Sequence, residues 1–441
     1  MTRLWSLVLV LIVLVGACTT PGDTTTTIAA GQSSSTTASE GPPTTSGETT
    51  TTSVPFAPLE ADLSGLEGVS EEVKAQLTDV IRESQEIREL AFMSIPNIVV
   101  VTREDYEARV RAKLLESSDD FPADEGLYKL LGLLAESADY QQLVLELVSE
   151  GTGGFYDDET HEVVVPASSE SMNVLERSIM VHELVHAITD QHFEFAAAAA
   201  AMVDENRLDE FVAYQALSEG DAFFAQLLWV SSLSSEEQFQ WIGESLAVDQ
   251  SAATSAPRFL RESLIFPYDT GLAFVQSIHD EGGWDAVDDA YTAMVGLPGS
   301  SEQIITPDDY MRDLPVSVAI PDVDLAGYEL ERTSVWGEQS FRLMLNQGTT
   351  AGQAMLPAVD GWGGDSYHQW FDGENSALLI VFEGDTQQDV DEMEEGLLAY
   401  ALESAPEDNF VWVEQAAGRL FFIAADATEV GEQIRAAVGL G

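Results

Sequence analysis

The chain is poor in positive charge and nearly free of cysteine. Lys and Arg total 18 against 77 Asp and Glu, for a net charge of −59. A surface this acidic repels phosphate backbones, which excludes nucleic acid as a partner. It attracts cations and suits a solvated extracytoplasmic protein. The acidic residues are scattered along the chain, so most of them read as solvated surface. With Cys18 the lone cysteine, no disulfide can form within the chain, and folding is indifferent to an oxidising compartment. No apolar run reaches the length needed to cross a bilayer, about 20 residues of helix. What is present is a sequence of 441 residues, 45% hydrophobic, enough for two or three cores.

The N-terminus carries a short basic start at Arg3, an almost unbroken apolar stretch from Leu4 to Val15, and then Gly16-Ala17-Cys18. This pattern reads as a signal-peptide core. Val15-Gly16-Ala17-Cys18 resembles the lipobox of bacterial lipoproteins. The resemblance implies cleavage before Cys18, acylation of that cysteine, and an exported protein anchored to the outer face of the bacterial cytoplasmic membrane. Two or more acyl chains hold stably where one is marginal. From Thr19 to about Pro55 the chain is Thr, Ser, Gly and Pro with few large apolar residues, a flexible tether that cannot bury enough surface to order itself. The expected organisation is leader 1–18, tether 19–56, a main domain 57–325 and a small C-terminal α+β domain 326–441. The fold class is α+β, mostly helical.

Val73–Leu90 has helical periodicity. Asn97–Val101 is a β-branched strand, and Thr102 caps a following helix through Asp105. Two more helices lie in 127–149. Gly153–Val165 reads as a hairpin with an Asp-rich turn. A long helix begins near Asn173, with Glu176 at the capping-box position. Helical patterns continue to about Met311, interrupted at Glu281-Gly282-Gly283-Trp284 and at Leu297-Pro298-Gly299-Ser300. After Tyr328 come a helix near Glu338–Asn346, a break at Gly361-Trp362-Gly363-Gly364-Asp365, strands at Ala377–Phe382, Phe410–Glu414 and Arg419–Ala424, and helices near Val390–Ser404 and Val430–Val438.

The run His182-Glu183-Leu184-Val185-His186 carries chemistry. Residues four apart on a helix project from one face, so His182 and His186 can share one Zn²⁺, and Glu183 beside them can take a proton from an activated water. The helix is apolar over much of its circumference and must be buried, where two histidines and a glutamate need partners. A third ligand must come from further along. Glu219, within Ala216-Leu217-Ser218-Glu219-Gly220-Asp221-Ala222, stands among small and apolar helix neighbours and is the first candidate; Glu210 and Asp221 compete with it. Gly220 inside a helix suggests close approach of another backbone. Tyr268 could donate to a developing oxyanion, with His279 the weaker alternative; His161 and His192 read as structural or exposed.

The run from His182 to Asp190 is similar to the active-site helix of thermolysin-like peptidases, the gluzincins. In these the third ligand is a glutamate on a later helix, which implies that role for Glu219, and an outer-shell role for Asp190 and Asp221. The wider combination of Gly154-Phe155-Tyr156-Asp157, Leu175-Glu176-Arg177-Ser178, the zinc helix continuing into Asp190-Gln191-His192-Phe193, the Glu219 segment, Phe266-Pro267-Tyr268, Ser301-Glu302-Gln303-Ile304 and Gly361-Trp362-Gly363-Gly364-Asp365 resembles a family of gluzincin-like bacterial and archaeal metallopeptidases, over roughly 95–435. Thr306-Pro307 departs from the His-Pro expected there. The resemblance implies a zincin-like domain, one zinc per chain, a peptide or protein substrate, and an edge strand at Glu162, Val163, Val164 and Val165 on which an extended peptide could add. The competing expectation is a cell-surface binding or scaffold lipoprotein on a catalytically inactive peptidase fold, its zinc closed by four protein ligands.

Overall fold

The computed structural model describes residues 7–11, 57–115, 121–168, 170–292, 296–346 and 350–440. The expected lipidation at Cys18 and the tether 19–56 lie outside the described residues.

The first sheet comprises β1 (Leu7–Leu11), β2 (Asn97–Val101), β3 (Thr152–Asp157) and β4 (Glu162–Pro166), ordered β1-β3-β4-β2. Strands β3 and β4 form the expected hairpin, and β4 pairs parallel with β2 on its other side. Glu162–Val165 is therefore an interior strand, and the expected edge is corrected. Three consecutive valines explain why. Val163 and Val165 face one core and Val164 another, and all three are buried, the pattern of a strand covered on both faces. The outward edge of the hairpin belongs to β3, along which Leu7–Leu11 pairs antiparallel.

Helix α1 (Glu71–Arg88) and helices α2 (Arg103–Leu115), α3 (Phe121–Leu130) and α4 (Tyr140–Gly151) precede the hairpin. Thr102 caps α2 through the Asp105 backbone N–H at 3.1 Å. Helix α5 (Val174–Phe193) follows, opened by a capping box between Asn173 and Glu176. It runs through the middle of the main unit, nearly all of it buried, against β3, α1 and the helices that come next. These are α6 (Phe195–Asp204), α7 (Leu208–Ser232), α8 (Ser235–Ser245), α9 (Ser251–Ser255), α10 (Arg258–Ala290) and α11 (Ser301–Ile305). The interruption expected at Gly283 is a kink within α10, where that glycine takes φ 68°. None of the described helices is long and apolar enough to cross a membrane.

The C-terminal part is an antiparallel sheet of β5 (Glu329–Ser334), β6 (Trp362–Phe371), β7 (Ser376–Gly384), β8 (Phe410–Ala416) and β9 (Arg419–Ala425), ordered β5-β6-β7-β9-β8. Helices α12 (Gly337–Leu345), α13 (Thr350–Met355), α14 (Gln387–Glu403) and α15 (Thr428–Ala437) accompany it. The architecture is thus α+β. The break expected at Gly361–Asp365 is instead the start of β6. Its glycines let a crossing segment lie directly on the strand, the Val316 N–H donating to Gly363 O at 2.7 Å. Helix α3, although within 57–325, lends Leu127 and Leu130 to the core of this sheet, and Gln369 Nε2 and Tyr400 Oη donate to the carbonyls of Ala123 and Leu131. Two distant motifs also meet near the base of α7. Asp209 accepts from the Ser301 N–H, and Asp365 accepts from the N–H groups of Trp336 and Gly337 and from Trp362 Nε1.

Candidate metal centre

Helix α5 presents His182 and His186 one turn apart, and α7 crosses it with Glu219 facing them. His182 Nε2 lies 3.1 Å and His186 Nε2 3.5 Å from Glu219 Oε2, and the two Nε2 atoms are 2.9 Å from each other. All three side chains are buried, and they are the one group of three or more His, Cys, Asp or Glu among the described residues able to hold a metal ion. The fold brings Glu219 to the two histidines. Glu210 is not: it pairs with Arg207 near the surface.

The close crossing of α5 by α7 rests on α7's own packing against α10. A β-carbon at Gly220 would collide with the backbone of Gly271, and one at Gly271 with the carbonyl of Ala216. Backbone thus meets backbone next to Glu219, as the glycine in mid-helix suggested.

The hydrogen bonds determine which ring nitrogens face inward. His182 Nδ1 is 3.2 Å from Gln226 Oε1, and Gln226 Nε2 donates to Ser178 Oγ at 3.1 Å. His186 Nδ1 is 3.2 Å from Ser218 Oγ. With Nδ1 donating outward to Gln226, and to Ser218 when its hydroxyl accepts, each ring turns an Nε2 lone pair toward the other and toward the carboxylate. Three acceptors then converge on one point, where a metal cation or a shared proton satisfies them. Burial keeps His182 below its ordinary range, on the neutral side, as a ligand must be. Burial alone would raise Glu219, but the positive charge and N–H donation that His186 and His182 supply when their Nε2 atoms carry a proton instead of a metal outweigh it and hold the carboxyl down to about 2. The donor set, two neutral imidazoles and one carboxylate, fits a borderline dication such as zinc with one coordination position left over.

Glu183 projects to the side of this group against β3. Gly154 makes room for it, since a β-carbon there would sit 3.1 Å from Glu183 Cγ. Both carboxyl oxygens are buried, and neither makes a hydrogen bond of normal geometry. Burial, and then the charge of Glu219, push its pKa well above the glutamate range; the Tyr156 backbone N–H opposes them.

Tyr268 reaches the site with its ring stacked on that of His182, centroids 6.2 Å apart, and Phe223 packs edge-on against it. The two outer-shell carboxylates are corrected. Asp190 accepts from Tyr156 Oη at 2.9 Å and from the Ala196 N–H at the start of α6. Asp221 pairs with Arg88 at 2.8 Å and accepts from Tyr291 Oη at 3.0 Å. Neither bonds a ligand: Asp190 ties β3 to the start of α6, and Asp221 ties α7 to α1 and to the end of α10. The true outer partners are Gln226 and Ser218. Gln226 was legible in principle: it stands seven residues after Glu219, two turns along the same face of an apolar helix. His161 is exposed at the hairpin turn and His192 donates to the Ala91 carbonyl, so neither joins the centre. His279 packs between Phe224 and Trp284.

A family model described as a domain of unknown function (DUF8575) matches residues 327–436, within the C-terminal part. No curated protein matches the chain. A solved structure from Chloroflexus aurantiacus, described as a "putative hydrolase with a novel fold", is similar at 17% identity over 55% of this chain and 90% of its own, with a TM-score of 0.36. A likeness of that size carries no argument about fold or activity.

Proposed function

We propose that the protein is a zinc metallopeptidase of the zincin type, exported and lipid-anchored through Cys18, that hydrolyses peptide bonds outside the cell membrane. The observation that carries this reading is the pairing of a convergent ligand set, His182, His186 and Glu219, with an unpartnered buried carboxyl, Glu183, on the adjacent residue. A purely structural site has no use for that carboxyl.

His182, His186 and Glu219 would hold the zinc, which when bound supplies Lewis acidity toward the scissile carbonyl and acidifies water. Glu183 takes the proton of the attacking water and delivers it to the leaving amine. Its environment suits both halves of that task. Burial and the Glu219 charge favour the protonated form needed for delivery, and a dication beside it would favour the ionised form needed for uptake. Tyr268, stacked on His182, holds the ligand ring in place and walls the site. The substrate would add as an extended strand along the outer edge of β3, which passes Glu183 at Gly154 and already pairs with Leu7–Leu11. Removal of the leader before Cys18 would free that edge.

The test is hydrolysis of a fluorogenic peptide library by the zinc-loaded chain from Cys18 onward, without the leader, and by its Glu183→Gln variant. The variant should keep its zinc and lose about 10²–10⁴-fold in rate; full activity in the variant would sink the assignment.

One observation favours the second reading, a binding or scaffold lipoprotein with a structural ion. His182, Glu183 and His186 are each 0% exposed, and Glu219 is 1% exposed. An enzyme built this way must open at Tyr268 or along β3 to admit substrate. A zinc-loaded chain with no activity toward any library member, together with a fourth protein ligand to the metal, would establish the scaffold reading instead.

A further inference from the structure

Resting on the zinc reading, we propose that Gln226 is the positioning residue of the metal centre: it fixes His182 as the Nδ1–H tautomer, and is itself held in orientation by Ser178. An imidazole can bind a metal through Nε2 only if the remaining proton sits on Nδ1, so whatever accepts from Nδ1 decides whether the ring is ready. An amide is an ambiguous choice for this, because its two ends look alike and a half-turn would present a donor to Nδ1.

The surroundings remove the ambiguity. Ser178 Oγ has one proton, and it goes to the Leu175 carbonyl at 2.8 Å. Its two acceptor positions are filled by Gln226 Nε2 at 3.1 Å and by Trp241 Nε1, reaching from α8, at 2.9 Å. Turned around, Gln226 would set its carbonyl oxygen against the Ser178 hydroxyl, which could donate to it only by giving up the Leu175 carbonyl. The NH₂ therefore faces Ser178 and Oε1 faces His182. All of these groups lie on three helices, with Ser178 one turn before His182 on α5 and Gln226 two turns after Glu219 on α7. Gln226 and Glu219 thus approach opposite nitrogens of one ring from the same helix face. The partner of His186 has no such constraint. The Ser218 hydroxyl donates or accepts as it rotates, so His182 is the ring whose tautomer the fold dictates.

A packing role and a positioning role predict opposite orders of substitution. If Gln226 only fills space, Gln226→Leu is tolerated and Gln226→Glu, which buries a charge, is worse. If it positions His182, Glu keeps the acceptor and strengthens it, whereas Leu leaves Nδ1–H without a partner. The experiment uses the full chain and zinc alone, with dissociation constants from competition against a chelator. The imidazole N–H resonances of the zinc-loaded protein report independently of any activity. Gln226→Leu should weaken zinc by about 10–100-fold, the usual effect of losing such an outer-shell partner, and should shift or broaden the His182 Nδ1–H resonance. Gln226→Glu keeps the acceptor for Nδ1–H but sets its second oxygen against Ser178, and should bind zinc more tightly than Gln226→Leu. Ser178→Ala, which frees the amide to turn, should fall between Gln226→Leu and wild type and keeps the test alive if the Glu variant does not fold. Unchanged zinc affinity and an unchanged resonance in Gln226→Leu would overturn the inference while leaving the zinc reading intact. Absence of zinc binding in wild type would overturn both.

Discussion

At the residue scale the centre is defined by what its atoms lack. Two ring nitrogens and a carboxylate face one another, and the carboxyl of Glu183 has no partner. Buried groups left in that state normally cost stability, which is why such sites are functional rather than incidental. Two expected outcomes follow. Replacing His182 or His186 with Ala should abolish tight zinc binding, read by chelator competition. In the metal-free protein, Glu183→Leu should raise the unfolding midpoint in denaturant, because it removes a buried carboxyl with no hydrogen-bond partner; a fall of more than about 2 kcal/mol would mean that Glu183 is held by contacts the structure does not contain. The ligands were readable from the sequence because helical spacing converts directly into geometry. His182, His186 and Glu183 needed only the four-residue repeat, and Glu219 only its apolar neighbours. The outer shell was legible only where it shares a helix face with a ligand, as Gln226 does with Glu219; the rest depends on which faces of α5 and α7 cross. Asp190 and Asp221 lie within a turn of a ligand yet bond elsewhere, whereas Gln226, two turns from Glu219, bonds His182.

At the element scale, α7 is the part on which everything depends, since it carries Glu219, Gln226 and Ser218 and is clamped from two sides. On one side Gly220 and Gly271 bring its backbone against that of α10. Gly220→Ala should cost about 1–3 kcal/mol in denaturant unfolding, the usual range for overpacking, and should also weaken zinc by displacing the adjacent Glu219. An alanine variant with wild-type stability would contradict the contact. On the other side a buried Arg88 ties α1 to α7 and α10, pairing with Asp221 at 2.8 Å and Asp288 at 2.6 Å while lying 4.4 Å from the Trp284 ring centre. Arg88→Met should cost about 3–5 kcal/mol, because it leaves Asp221 buried without its counter-charge; unchanged thermal unfolding would contradict the pairing. The helices and the hairpin were legible because their caps and periodicities are local. Strand β6 was not. Its glycines read as punctuation, and the reason they are glycines is a segment crossing from elsewhere in the chain. The position of β4 was misjudged for a related reason: pairing partners are a tertiary fact, although its three valines in a row already pointed to a covered strand.

At the scale of the molecule the dominant fact is a net charge of −59. Part of it is buried where α7, α11, α12 and β6 meet. Burial, with repulsion from nearby carboxylates for the first three, lifts Asp209 to about 7, Glu338 to about 7 and Glu302 to about 9, and burial lifts Asp365 to about 6. Raised carboxyls bind more protons folded than unfolded. Their contribution is therefore fully present below about pH 4 and is lost as pH rises through the folded values. Thermal stability should fall between pH 5 and pH 9, and Glu302→Gln should raise the melting temperature at pH 8 while changing little at pH 4.5. An equal shift at both pH values would contradict the assignment.

The most direct test of the central claim is the zinc content of the full chain, in wild type and in Glu219→Ala. The account predicts about one zinc per chain in wild type, lost or much weakened in the variant, as for a site of two histidines and one glutamate. No zinc in wild type after incubation with the metal, or undiminished zinc in Glu219→Ala, would contradict it.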